Sequence, residues 1–151
     1  MQVTSSADRA DATLYTYMTS SHAQLRELLA QLLAAMAANA RDDVAKLWRA
    51  LDHGLLTHME AEERFVLPRF AHVDRGEARG LLREHGQIRE EILELGVAVD
   101  LHSLRFDRSE DFAQLLLAHA TREERLLYRW ADERLEAHTV DAVKARVAAG
   151  E

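Results

Sequence analysis

The chain has 151 residues, enough for one domain, and its 26 Asp and Glu against 19 Lys and Arg give a formal charge of −7. That balance works against nucleic acid or an anionic membrane as the main partner. No cysteine is present, which excludes disulfides, thiolate metal sites, iron–sulfur clusters and cysteine nucleophiles.

The stretch from Met1 to Thr13 is polar and lacks an apolar signal core, and no run approaches the roughly 18 apolar residues of a membrane span. A soluble, cytoplasmic protein is expected. With one Pro and six Gly and a preponderance of Ala, Leu, Glu and Arg, the chain is rich in helix formers and poor in turn signals. The predicted fold is all-α: an antiparallel up-down-up-down four-helix bundle with a short C-terminal fifth helix. Residues 1–10 read as a polar tail, 11–138 as the bundle and 139–151 as the short helix and its end.

The first helix is expected from about Asp11 to Ala38, with Leu14, Met18, Leu25, Leu29, Leu32 and Met36 along one stripe. Asp42 or Asp43 should cap the second, whose stripe is Val44, Leu47, Leu51, Leu55 and Phe65. It should end near Pro68 or Phe70, because proline lacks the amide donor and crowds the preceding turn. After a loop at Val73 to Gly76, a third helix from about Glu77 to Val99 carries Leu81, Ile88, Ile92, Leu95 and Val99. The fourth opens at Ser109 and runs to about Ala137 with Phe112, Leu115, Leu116, Leu126, Leu127 and Trp130 inward. A short fifth helix, Thr139 to Ala149, has Thr139 as its expected cap.

Two halves of the chain resemble each other. His22-Ala-Gln-Leu-Arg-Glu27 returns as His85-Gly-Gln-Ile-Arg-Glu90, and the seven residues from His58 return from His119, each time as His-x-x-x-Glu-Glu-Arg. His22, His58, Glu62, His85, His119 and Glu123 all fall on the apolar stripes. Residues four apart share a helix face, so His58 with Glu62, and His119 with Glu123, can reach one site. The midpoints of 22 and 58, of 58 and 85, and of 85 and 119 all fall in expected loops, which puts the four imidazoles in one layer of an antiparallel bundle.

Unpaired carboxylates in such an interior would cost several kcal/mol each. Divalent cations offset that cost and take neutral imidazole as a ligand. Four His and two Glu suit two first-row ions with bridging carboxylates, iron fitting better than calcium or magnesium and zinc and manganese staying open.

These residues resemble the hemerythrin-like, or HHE cation-binding, family: a His on the first helix, His-x-x-x-Glu on the second, a His on the third and His-x-x-x-Glu on the fourth. Leu67 and Pro68 after the first His-x-x-x-Glu-Glu add to the match, which covers roughly Tyr15 to Trp130. The resemblance implies a non-haem di-iron site, oxo- or hydroxo-bridged, that binds dioxygen, nitric oxide or another small ligand in a carrier, a sensor, or a protein of iron or nitrosative-stress handling. One departure stands out. Oxygen-carrying hemerythrins have a further His one turn before the His of the third helix, and this chain has Leu81 there. Its loss favours peroxide or nitric oxide chemistry over stable oxygenation.

The remaining candidates read plainly. His53 is expected to be exposed or to support a ligand from behind, His72, His102 and His138 to lie at the surface, Glu63 and Glu124 to face solvent or pair with Arg, and Glu84 to be rotated away from the site. Met18, Met36, Trp48, Phe65, Phe112 and Trp130 are read as core packing, and so are Tyr15, Tyr17 and Tyr128.

Overall fold

The computed structural model describes residues 12–150, and the polar tail expected at residues 1–10, like the expected helix start at Asp11, lies outside them. Thr13 caps helix α1 (Leu14–Ala37) by accepting a hydrogen bond from the Thr16 amide. Helix α2 (Arg41–Ala61) passes through a π-turn, Glu62–Val66, into α3 (Leu67–Phe70), making one continuous rod. Helix α4 (Arg75–Asp100) is capped by Asp74, which accepts from the Glu77 amide. Helix α5 (Phe106–Arg122) passes through a second π-turn, Glu123–Leu127, into α6 (Tyr128–Arg134), and α7 (Ala137–Ala148) follows. The four rods form the antiparallel bundle, and α7 lies against the second rod and its π-turn.

Several boundaries differ from expectation for local reasons. Asp42 and Asp43 sit inside the first turn of α2, where their charges favour the helix dipole, while Ala40 holds the cap position without a side-chain bond. The turn is made by Asn39, at φ 54°, one of the few residue types that tolerate left-handed backbone. The fourth rod starts before Ser109, whose hydroxyl donates back to the Arg105 carbonyl at 3.1 Å instead of capping. Helix α7 likewise starts two residues before Thr139, which is buried within its first turn.

The π-turns alter which residues face inward. Their extra residue carries the Leu67 amide to the Glu62 carbonyl and the Tyr128 amide to the Glu123 carbonyl, five residues back. Beyond Glu62 the buried set becomes Val66, Leu67 and Phe70, and beyond Glu123 it becomes Leu127, Tyr128 and Ala131. Leu126 is left 43% exposed, and Phe65 packs only at the margin of the core. Pro68 cannot be the cause, because the fourth rod makes the same turn without a proline. Such turns occur often at functional sites, and here both begin on a candidate ligand.

The core falls into two clusters. One joins Leu14, Met18, Val66, Leu67, Phe70, Leu81, Leu127 and Tyr128 to Val143 and Val147 of α7. The other gathers Leu29, Leu32, Trp48, Leu51, Leu55, Met59, Ile88, Ile92 and Phe112. Among the described residues no helix is long and apolar enough to cross a membrane.

Candidate metal centre

A buried polar layer joins the two clusters. His22, His58, Glu62, His85, His119 and Glu123 come together there, each no more than 6% exposed. His22 and His58 bring their Nε2 atoms to 3.0 Å, and the rings of His85 and His119 meet with centroids 4.8 Å apart. Each half of the chain therefore supplies one imidazole pair. The carboxylates cross between halves: Glu123 has Oε1 at 3.2 Å from His22 Nε2 and Oε2 at 3.2 Å from His119 Nε2 and 3.4 Å from His85 Nε2. Glu62 Oε1 lies 3.4 Å from His58 Nε2 and 3.6 Å from His85 Nε2.

Two sets of ligand atoms result, Glu62, His85, His119 and Glu123 in one and His22, His58 and Glu123 in the other, with Glu123 common to both. Because its two oxygens face different sets, Glu123 has the disposition of a bridging carboxylate.

An outer ring turns each imidazole inward. His22 Nδ1 donates to Glu124 Oε1 at 3.0 Å, His85 Nδ1 to Glu63 Oε2 at 2.7 Å and His119 Nδ1 to Glu84 Oε1 at 2.8 Å. His58 Nδ1 meets Ser21 Oγ at 2.9 Å. The three carboxylate bonds favour the tautomer that leaves the Nε2 lone pair for a cation. Arg89 grips Glu63 with two bonds of 2.7 Å, and Arg122 joins Glu84 to Glu77.

The ring follows the internal repeat. Ser21 and Glu84 each precede the His of the first rod of their half, and Glu63 and Glu124 each follow a candidate ligand. Glu63 pairs with Arg, as expected, but it also serves His85. Glu124 is directed to His22 and not simply to solvent. Glu84, though rotated away from the metal layer, reaches the back of His119. The repeated Glu-Glu was the available signal; what spacing alone hid was that a residue 100° off the inward face of one rod reaches the back of an imidazole on its neighbour.

Tyr128 departs furthest from expectation. It packs in the core, yet its hydroxyl stands inside the site, donating to Glu62 Oε2 at 2.8 Å. The same oxygen lies 3.1 Å from Glu123 Oε1, 3.0 Å from His22 Nε2 and 3.2 Å from His58 Nε2. The sequence stripe could not reveal this, since only the π-turn brings position 128 beneath Glu123. His53, His72, His102 and His138 are exposed, as read from the sequence.

The electrostatics describe a site short of positive charge. Burial, and then the charge of Glu123, hold the Glu62 carboxyl well above the usual range. Burial acts the same way on Glu123, but His119, His22 and His85 outweigh it and hold that carboxyl well down. Burial opposes charge on His22, His85 and His119, yet their carboxylate partners raise all three. His58, backed by a neutral hydroxyl, is pushed well down by burial and by the charge of His22. Although burial favours its neutral form, Glu63 is held at about 2 by His85 and Arg89, and burial with the two inner carboxylates pushes Tyr128 up.

The site fits a cation. Glu62 Oε1 and His119 Nε2 are buried without any hydrogen-bond partner, a condition that costs about 1–3 kcal/mol per group and calls for an occupant. Both point into the space between the imidazoles and carboxylates. The model of the hemerythrin HHE cation-binding domain matches residues 13–131.

The chain belongs to the hemerythrin HHE family. Comparison with curated proteins and with solved structures returns no match. A family match spanning all four rods, together with a buried His and Glu cluster, makes this a hemerythrin-like bundle with the donor set for metal.

Proposed function

We propose that this hemerythrin-like chain holds two iron ions through His22, His58, Glu62, His85, His119 and Glu123, and binds dioxygen or a related small ligand as a cytoplasmic carrier or sensor. The observation that carries the reading is the sharing of Glu123 between two sets of convergent ligand atoms. Hard carboxylates and intermediate imidazoles without thiolate suit iron, with zinc or manganese the other candidates. Bound iron would supply an open coordination position and a one-electron couple.

The chain's own residues do the rest. The outer carboxylates of Glu63, Glu84 and Glu124 keep three Nε2 atoms aimed inward, and the Ser21 hydroxyl holds the fourth ring, His58. A cavity of about 40 Å³ adjoins His22, His58 and His119 under Leu25, Leu55, Met59, Ile88 and Leu116. It has room for a ligand of two or three atoms, and its apolar walls favour a neutral diatomic over a hydrated anion.

Metal analysis of protein purified without chelator, joined to an optical spectrum, tests the reading. Two irons per chain, with charge-transfer bands that change on adding azide, are expected; colourless, iron-free protein would overturn it. Leu81, fully buried where oxygen carriers have their fifth His, favours a second reading in which the centre handles peroxide or nitric oxide. Rapid oxidation without a stable oxygenated form would select that one. Zinc at unit or double stoichiometry would instead make the bundle structural.

A further inference from the structure

We infer that Tyr128 is a seventh ligand of this centre, its phenol oxygen binding the ion held by His22 and His58. The inference rests on the metal-binding reading above and adds a donor that neither the repeat nor the family motif contains. Its geometry is that of a coordination shell. Ligand atoms about 2.1 Å from a first-row ion and at right angles to one another lie about 3.0 Å apart. The spacings here are 3.0 Å for His22 Nε2 to His58 Nε2, 3.0 and 3.2 Å from the Tyr128 oxygen to those two atoms, and 3.1 Å from it to Glu123 Oε1. An ion within reach of both imidazoles and Glu123 is within reach of the phenol.

Proton counting points the same way. Two carboxylate oxygens and two imidazole nitrogens stand within 3.2 Å of a hydroxyl that has one hydrogen to give. A cation satisfies all of these atoms at once; one proton cannot. On binding, the O–H bond is replaced by an O–metal bond and the proton leaves to buffer.

The placement also divides the two ends of the site. The Tyr128 ring belongs to the core cluster that contains Leu81, so it closes that side. The small-ligand cavity lies on the other side, among residues of the second cluster and beside His22, His58 and His119. With the phenol counted, each ion has four protein donors: Glu62, His85, His119 and Glu123 at one, and His22, His58, Glu123 and Tyr128 at the other.

The test uses the full chain, wild type and Tyr128→Phe, loaded with ferrous iron without oxygen and then oxidised in air. Wild-type protein should show a visible phenolate-to-ferric band with tyrosinate ring modes in resonance Raman spectra excited within it. Protein grown on ring-deuterated tyrosine should shift those modes, which keeps the test decisive even if the variant misfolds. The variant should lose both signatures, keep its helicity and bind one of its two ions at least about 10-fold more weakly. Two bound irons with no tyrosinate modes would overturn the inference and leave the proposed function standing. Absence of any bound metal would overturn both.

Discussion

Ser21 and Glu84 occupy equivalent places in the two halves, each preceding the His of its first rod and each holding Nδ1 of the other imidazole of its half, at 2.9 and 2.8 Å. One is a neutral hydroxyl; the other is a carboxylate tied to Arg122. An anionic partner raises imidazole basicity and so strengthens metal binding. The His85 and His119 position should therefore fill first in a calorimetric zinc titration of the metal-free chain. Glu84→Gln is expected to weaken that first event by about 10- to 100-fold, whereas Ser21→Ala should affect the second. Identical losses at both events in either variant would contradict the asymmetry.

Glu62 should give opposite signs in the two states of the protein. Without metal its carboxyl is fully buried against Glu123, and burial with that charge pushes its pKa well up. Glu62→Gln replaces an acid that is costly to ionise there with a neutral amide that can donate toward the lone pairs of His58 and His85. Metal-free variant should gain about 1 kcal/mol, or about 2–4 °C in melting temperature. It should also bind metal far more weakly, having lost a ligand. A variant destabilised both with and without chelator would show that Glu62 is a structural residue.

The pH dependence should likewise reverse between the two states. Against the opposing effect of burial, Glu123 and the outer carboxylates raise His22, His85 and His119 in the metal-free protein. A group raised on folding contributes stability that is complete below its unfolded value, about 6.5 for His, and is lost as pH rises through the folded value. Glu62, also raised, adds the same sign; His58, lowered, acts against it as one imidazole to three. Chelated protein should therefore melt higher at about pH 6 than at about pH 8. Loaded protein needs neutral imidazoles, so its advantage over the chelated form should grow from about pH 6 to about pH 8. Parallel curves with a constant gap would rule out a site built from these four His.

Much of this was legible before any coordinates. The period of the apolar stripes gave four rods, and the loop midpoints gave one layer, because both depend only on helix geometry. The six inner residues stood out because each broke an apolar stripe at a repeated position. What spacing could not show was backbone irregularity. An ideal 3.6-residue helix places Leu126 inward and Tyr128 off the site, and the π-turn beginning at Glu123 reverses this. The outer ring was hidden for another reason. Glu63, Glu84 and Glu124 sit on flanks that a single helix presents to water, and only the closeness of a neighbouring rod makes them partners of an imidazole.

Two glycines on the third rod separate stability from metal affinity. Gly86 is exposed, and a Cβ there would meet nothing within 4 Å. Gly86→Ala should add about 1 kcal/mol of helix propensity, or about 2–4 °C of melting temperature, with zinc affinity unchanged although His85 is adjacent. Gly80 is buried, and its missing Cβ leaves the space filled by the Arg122 guanidinium. Gly80→Ala gains the same propensity but pushes aside the arginine that holds Glu77 and Glu84. Those ion pairs are part-exposed and contribute at most about 1 kcal/mol each, so melting should barely change. Glu84 is the support of His119, however, and its release should weaken zinc binding by about 10-fold. Thermal melts and zinc titrations of both variants check the contrast. Equal zinc affinity for the two would mean that Arg122 does not act on the centre through Glu84.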